Sequence, residues 1–496
     1  MNLSFIPLGM LALPLLGCLA IAFGSAPRRT ALLFTAANLL LCLFAVLKFM
    51  PSFPGLQFEF NTPWMGAEFF KINFHFGIDG LNLPLVVLTH LVSLAAVGIS
   101  IENIQRAREF FICLLLISLG ALGAFLSFDL FFLYIFHEVA LIPTFLMIGI
   151  WGNQDRKYVA SQVTLYLAAG SLVLLVGLLA FYKALPAGMG SFDLVNIQNS
   201  LHLAPITASS QALPFILLLV GFGILISLWP FHSWAPRGYA SAPVPVAMMH
   251  AGVLKKFGLY GLLRVAVPFL PQGMEAWNQV FLFLLACNIL YVGLVTLAQK
   301  DLGLMLGYSS VMHMGYLFLA LAVTSGAVLL KSSHIALTGF LVLMVAHGLS
   351  TALLFGLAGE IRRQTGTLQM SDLGGLASKA PCLAVLFLFG AFASIGLPGL
   401  ANFAGEILIF FSAWQRYPLV TIIALWGVVL SAVYMLRAVR QIFFGETTPA
   451  IASVTDLTCC RRWPYFLLIA SLLIIGFYPS ILIQFIEPTL KYLLAV

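Results

Sequence analysis

The chain reads as an all-α polytopic membrane protein of about 14 transmembrane helices, arranged as two inverted five-helix repeats, each with a broken helix. Three observations predict this. Of 496 residues, 61% are hydrophobic and 8% charged, and the mean hydropathy is +1.05. A soluble chain carries about 25% charged residues, so most of this surface faces lipid. Apolar runs of roughly 18 or more residues, long enough to cross a bilayer, recur along the whole length, and two of them are interrupted by proline.

Runs bounded by charge, proline or glycine place spans near 3–23, 31–50, 79–100, 109–127, 129–151, 158–182, 212–231, 243–268, 276–298, 302–324, 333–359, 381–411, 418–443 and 463–485. Three stretches do not span. Residues 51–78 alternate like a hairpin, 184–211 are polar with a short amphipathic piece, and 360–380 form a charged loop. The organisation expected is an N-terminal unit over 1–128, which holds spans one to four and the external hairpin 51–78. A first inverted repeat covers 109–268 (spans four to eight) and a second covers 276–443 (spans nine to thirteen). A last span and tail fill 463–496.

The interruptions carry Pro230 and Pro236, in Trp229-Pro230-Phe231-His232-Ser233-Trp234-Ala235-Pro236, and Pro398, in Gly396-Leu397-Pro398-Gly399-Leu400. Proline frees backbone carbonyls, which are tolerable at membrane depth only inside protein or beside water. A broken helix in each half is the pattern of inverted-repeat transporters; two ordinary proline kinks are the plainer alternative.

The net charge of +7 does not point to nucleic acid, because the Lys and Arg residues concentrate in short loops. Loops after odd-numbered spans hold fifteen of them. Loops after even-numbered spans hold five: Lys71, Lys183, Arg264, Lys331 and Arg416. That bias predicts a multi-pass protein with the odd-numbered loops in the cytoplasm and both termini on the outer side. Seven cysteines show no CxxC or His-rich ligand spacing, so no metal, cluster or haem is expected. Leu15-Leu16-Gly17-Cys18 faintly resembles a lipoprotein cleavage box, but no basic residue precedes it, and a first span explains it better.

Some residues within the spans should not be there on hydropathy alone. Glu138, Lys256 and Glu406 each lie in an apolar run, where a charge costs about 2.5–3.5 kcal/mol to insert. A structural ion pair clamping helices is one reading. The other is a relay, because burial pushes carboxylates and amines towards neutrality, where they load and release protons. Histidines fill the gaps between them: His313 and His347 in the tenth and eleventh spans, His250 opening the eighth, and His137 before Glu138. Imidazoles suit proton hopping. Lys255 and Lys256 point about 100° apart on a helix, so both are not expected to face one seam; Lys256 is the expected carrier and Lys255 a neighbour or pair partner.

At these residues the sequence resembles the antiporter-like M subunit of bacterial NADH:quinone oxidoreductase, complex I. The resemblance is carried by Phe136–Trp151 (FHEVALIPTFLMIGIW), Trp229–Pro236, Ser241-Ala242-Pro243, Gly252–Arg264 (GVLKKFGLYGLLR), Tyr308–Gly315 (YSSVMHMG), Val345–Ser350 and Gly396–Glu406 (GLPGLANFAGE). It implies that Glu138 pairs with a lysine and couples to the neighbouring subunit. Lys256 would sit at the channel centre, His313 and His347 on its polar axis, and Glu406 at its exit. It also implies an obligate hetero-oligomer with other membrane-arm subunits. NADH, FMN, Fe–S clusters and quinone would belong to partner subunits, and this chain would carry no catalytic centre or cofactor of its own.

One departure stands out. The family's seventh-span lysine falls here on Leu225, and the usual acidic-plus-His pair is replaced by Arg237-Gly238-Tyr239. Two rival readings follow. One is a subunit of a multi-subunit Na⁺/H⁺ antiporter or of a membrane-bound hydrogenase or formate-oxidising complex. The other is a structural paralogue that does not pump.

Overall fold

The computed structural model describes residues 3–66, 71–100, 104–153, 155–326 and 331–494. The tip of the expected hairpin (67–70), the 327–330 part of the connection between the tenth and eleventh expected spans, and the side chain of Lys331 lie outside the described residues.

The elements run as α1 (Ile6–Ala22), α2 (Pro27–Lys48), β1 (Gln57–Gly66), β2 (Lys71–Ile78), α3 (Leu83–Ile99), α4 (Ala107–Leu126), α5 (Leu130–Trp151) and α6 (Arg156–Ala184). Next come the short α7 (Leu194–Leu203), α8 (Ala208–Ile226) and α9 (Trp234–Ser241). The eighth span is then a chain of pieces: α10 (Val244–Met249), a π turn (His250–Leu254), α11 (Lys256–Gly261), a second π turn (Leu262–Ala266) and α12 (Val267–Phe269). After α13 (Pro271–Ala276) follow α14 (Asn278–Ala298), α15 (Leu302–Ala322), α16 (Lys331–Thr365), α17 (Pro381–Ile395), α18 (Ala401–Arg416), α19 (Pro418–Phe443), α20 (Cys459–Phe477) and α21 (Ser480–Leu494).

Eleven of the described helices are long and apolar enough to cross a membrane uninterrupted. The other three expected spans take different forms. α3 is a shorter apolar helix, the eighth is broken into α and π segments, and the twelfth is split between α17 and α18. The count of about fourteen therefore rests on reading these three as spans.

Both expected breaks are present. Between α8 and α9 the chain turns at Ser227 (φ 69°), and between α17 and α18 it turns through Gly396 (φ 82°) and Gly399 (φ 92°), where a side chain would be strained. The end of the chain differs from expectation. The fourteenth span stops at Phe477 instead of running to 485, because Pro479 cannot continue the backbone ladder, and a separate helix, α21, follows.

β1 and β2 pair antiparallel, as the alternation in 51–78 predicts. The hairpin is tied to the bundle by acidic helix caps. Asp129 accepts from Phe131 N at 2.9 Å at the head of α5 and from Asn73 N in β2 at 3.0 Å. Asp193 caps α7 through Asn196 N and meets His75 Nδ1 at 2.5 Å. Side chains on N-cap oxygens satisfy amides that the helix itself leaves unpaired.

The core lies on α15 and α16, whose most apolar windows are 89% and 100% buried inside the protein, so little of either is left to face lipid. α16 is wrapped by α3, α10, α15, α17, α18 and α20. It therefore forms the axis of the bundle.

Arg264 departs from the sequence reading. Counted above as a loop cation, it is buried within the second π turn of the eighth span and is ion-paired with Asp79. Its Nε donates to Tyr260 Oη at 2.9 Å, and its guanidinium lies over the rings of Tyr260 and Phe128. The loop bias then stands at fifteen against four, so its direction is unchanged. Breaking a buried pair leaves one uncompensated charge, at a cost of about 3–5 kcal/mol. Arg264→Ala is accordingly expected to lose about 3–5 kcal/mol of stability, read from the unfolding transition of detergent-solubilised protein. Arg264→Met with Asp79→Leu is expected to recover part of it, and an unchanged transition in the single variant would remove the clamp from this account.

Candidate functional site

The site grows from the lysine pair in the eighth span. A π turn at His250–Leu254 moves the Lys255 N–H onto the His250 carbonyl at 3.1 Å. The Ala251 carbonyl, which an α-helix would hand to that N–H, can then accept from the Lys256 ammonium at 2.7 Å. The other partner of Lys256 Nζ is His347 Nδ1 on α16, 2.9 Å away. Lys256 is fully buried. A buried amine is thus held by a carbonyl and an imidazole, with no carboxylate in an ion pair with it among the described residues.

Close backbone approach makes this contact reachable. A Cβ at Gly252 would stand 3.0 Å from the Gly348 carbonyl, and one at Gly348 would stand 2.6 Å from the Gly252 carbonyl. Two glycines face each other across the seam, so α16 and the lysine segment meet backbone to backbone, as small residues permit in membranes.

From His347 the polar axis continues. The His313 ring lies 5.7 Å away, and its Nδ1 and Nε2 sit 2.8 and 2.9 Å from the carbonyls of Ser309 and Ser394. Ser394 is in the last turn of α17, directly before the break. Tyr316 follows one turn on from His313, with ring centroids 5.5 Å apart, and Glu406 is its charged neighbour. Glu406 is buried in the second turn of α18 with Oε2 against Gly396, and neither its Oε1 nor the Tyr316 hydroxyl has a hydrogen-bond partner among the described residues. Asn402 joins the same end through Ser350 Oγ at 3.3 Å.

Lys255 leaves its helix in another direction from Lys256, in keeping with their separation of about 100°. Both lysines enter the polar interior, because they extend towards different helices. Lys255 is buried, with Nζ 3.5 Å from Ser310 Oγ on α15 and 5.6 Å from the ring centroid of Tyr239 on α9. His250 flanks the same tyrosine, its ring 5.5 Å from Tyr239 and 5.5 Å from Trp234.

The third expected acid stands apart. Glu138 is 31% exposed on α5, with Oε1 3.6 Å from His137 Nδ1. Its helix faces Leu225 indirectly: Leu225 packs against Gly170 on α6, and the neighbouring Ser171 flanks Glu138. Glu138 therefore makes no lysine pair among the described residues. Pro230 and Pro236 bracket the break before and into α9, and Pro398 lies in the break before α18.

Similarities of three kinds bear on this arrangement. A family model described as NADH:quinone oxidoreductase/Mrp antiporter, TM, matches residues 127–432. NADH-quinone oxidoreductase subunit M of Rhodobacter capsulatus is 32% identical over 507 aligned positions, covering 99% of this chain and 95% of that protein. The chain belongs to this family. In structure it is similar to a chain of respiratory complex I from Thermus thermophilus with bound NADH, at a TM-score of 0.87 and 29% identity over 99% of each chain. A chain of an Mrp complex from Dietzia shares the fold, with a TM-score of 0.83 and 19% identity over 99% of this chain and 97% of that one.

Tyr239, Ser310 and Asn402 lie in stretches quoted from the sequence but were given no role there, and Tyr316 was not named. The signal for Tyr316 is its position three residues after His313 and hence on the same helix face. Among the described residues no cluster of three or more His, Cys, Asp or Glu side chains could hold a metal ion. Because a Cβ at Gly348 meets backbone that cannot move aside cheaply, Gly348→Ala is expected to lose about 1–3 kcal/mol in detergent unfolding and to part Lys256 from His347. A variant as stable as the natural protein would show that the seam is loose.

Proposed function

We propose that the chain is a proton-translocating membrane-arm subunit of a bacterial NADH:quinone oxidoreductase, moving protons along its buried Lys, His and Glu side chains while partner subunits carry out the redox chemistry. The observation that carries this reading is the fully buried Lys256 ammonium on His347 at 2.9 Å, inside a chain that aligns over nearly its whole length with a subunit M. The amine stands at hydrogen-bond distance from an imidazole nitrogen on one side and a carbonyl on the other, so a proton can pass between Lys256 and His347 without either side chain moving far. A purely structural polar contact would be better served by an uncharged side chain.

In this reading the proton route runs Lys255–Lys256–His347–His313–Tyr316–Glu406, with His250 and Glu138 on the far side of the lysines. The broken helices at Pro230–Pro236 and Pro398 supply carbonyls and slack beside the route. The five-helix units 109–268 and 276–443 are the two inverted halves, and Lys256 lies close to their junction. The Lys and Arg bias of the loops supports a chain in the inner membrane with both termini on the periplasmic side. NADH, FMN, Fe–S clusters and quinone are held elsewhere in the assembly, and redox energy reaches this chain through its neighbours. Moving one charge against 100 mV costs about 2.3 kcal/mol, which a bundle of this composition has no chemistry of its own to supply.

Lys256→Met and Glu406→Gln test the reading in inverted membrane vesicles that contain the assembled complex. Each is expected to slow NADH-driven proton uptake by about 10²-fold or more at the step it serves, the scale of a single lost proton-transfer group, while the complex still assembles. Undiminished uptake in both variants would leave a structural subunit as the better reading.

A further inference from the structure

Glu138 has a different setting from Glu406. It lies at the edge of the chain, and the helix from which a cation could reach it presents Leu225, packed on Gly170 beside Ser171. What Glu138 does face is an imidazole, His137 Nδ1, at 3.6 Å. That ring is buried and lies flat on Phe257, with centroids 4.1 Å apart and planes 16° apart. Phe257 is the residue after Lys256, so the imidazole rests directly on the lysine helix. Further in, His250 interacts electrostatically with both His137 and Lys255. The Tyr239 ring stands between His250, at 5.5 Å, and Lys255 Nζ, at 5.6 Å.

Glu138 Oε1 and His137 Nδ1 meet each other only at 3.6 Å, beyond hydrogen-bond distance, and the Tyr239 hydroxyl has no hydrogen-bond partner among the described residues. A network kept for structure satisfies its members, since each unmet buried group costs about 1–3 kcal/mol. A row of spare donors and acceptors between a carboxylate and an amine is instead suited to passing a proton.

We infer that His137 and His250 are the arm of the relay that joins Glu138 to Lys255, two imidazoles standing where a lysine on α8 would otherwise face the glutamate. The inference rests on the relay reading above and assigns its first leg. The Glu138 O–H bond breaks as an N–H forms at His137 Nδ1. The imidazolium releases the proton on its other ring nitrogen towards His250, and His250 passes one to the neutral amine of Lys255. One proton has then moved, and His137 is left as its other tautomer, with the N–H on Nδ1, until the ring turns over or exchanges its proton back.

The test uses vesicles with the whole complex, a native gel to check assembly, and protons pumped per electron as the readout. His137→Phe keeps the ring that stacks on Phe257 and removes both nitrogens. It is expected to lose as much pumping as Glu138→Gln. Adding Leu225→Lys, which puts an ammonium beside Gly170 and Ser171 near Glu138, is expected to restore it. His250→Gln is expected to match His137→Phe, and the double variant to be no worse than either. Normal pumping by His137→Phe alongside a defective Glu138→Gln overturns the imidazole arm and leaves the relay standing. Normal pumping by both removes the relay itself. A His137→Phe defect that Leu225→Lys does not repair also overturns the inference, because a missing charge partner is then not the fault.

Discussion

A charge that cannot reach water has to be completed by its own chain, and this constraint organises the protein around Lys256. The ammonium is sealed, so its partners must be supplied by geometry. The π turn at His250–Leu254 supplies the Ala251 carbonyl, and α16 supplies His347. Both would be lost in a regular α-helix or with a wider helix separation. The irregularity of the eighth span and the glycines of the seam are therefore parts of one arrangement. Apolar packing alone would give no reason for either.

The same constraint explains where the bundle departs from straight helices. Broken or widened turns lie beside the polar axis: the Ser227–Ser233 turn before α9, the π turns flanking the lysines, and the Gly396–Leu400 turn next to Glu406. In hydrocarbon an unpaired carbonyl is costly, but next to a buried amine, imidazole or carboxyl it is a ready partner. The lipid-facing helices α1, α2 and α14 need no such partners, and each runs as a single α-helix.

The ionisable groups fall into two kinds. Asp79–Arg264, Asp193–His75 and Glu360 with Arg363 and Arg461 are closed sets, in which each charge meets an opposite or accepting group. They clamp elements together near the ends of the bundle. Glu406, Tyr316 and Tyr239 each leave a polar atom without a hydrogen-bond partner among the described residues, and His137 and Glu138 meet each other only at 3.6 Å. Closed sets hold a fold in one arrangement. Open ones can change their proton content without breaking it, and several of them line the axis between Glu138 and Glu406.

Much of this was legible in the residues alone. Hydropathy marked the spans because lipid leaves no alternative to a long apolar run, and Pro230, Pro236 and Pro398 marked the breaks because proline cannot complete the backbone ladder. Glu138, Lys256, Glu406 and the histidines were visible because a polar group in an apolar run is a local anomaly. Which of them touch was not legible. Lys256 meets His347 across 91 positions of sequence, Arg264 meets Asp79 across 185, and both contacts depend on how helices cross. The two lysines share the interior because their side chains extend to different neighbours, Lys256 to α16 and Lys255 to α15 and α9, and which helices stand there is not written in the spacing. Composition and spacing determine that acids and bases lie at membrane depth; only packing decides which of them are close enough to exchange a proton.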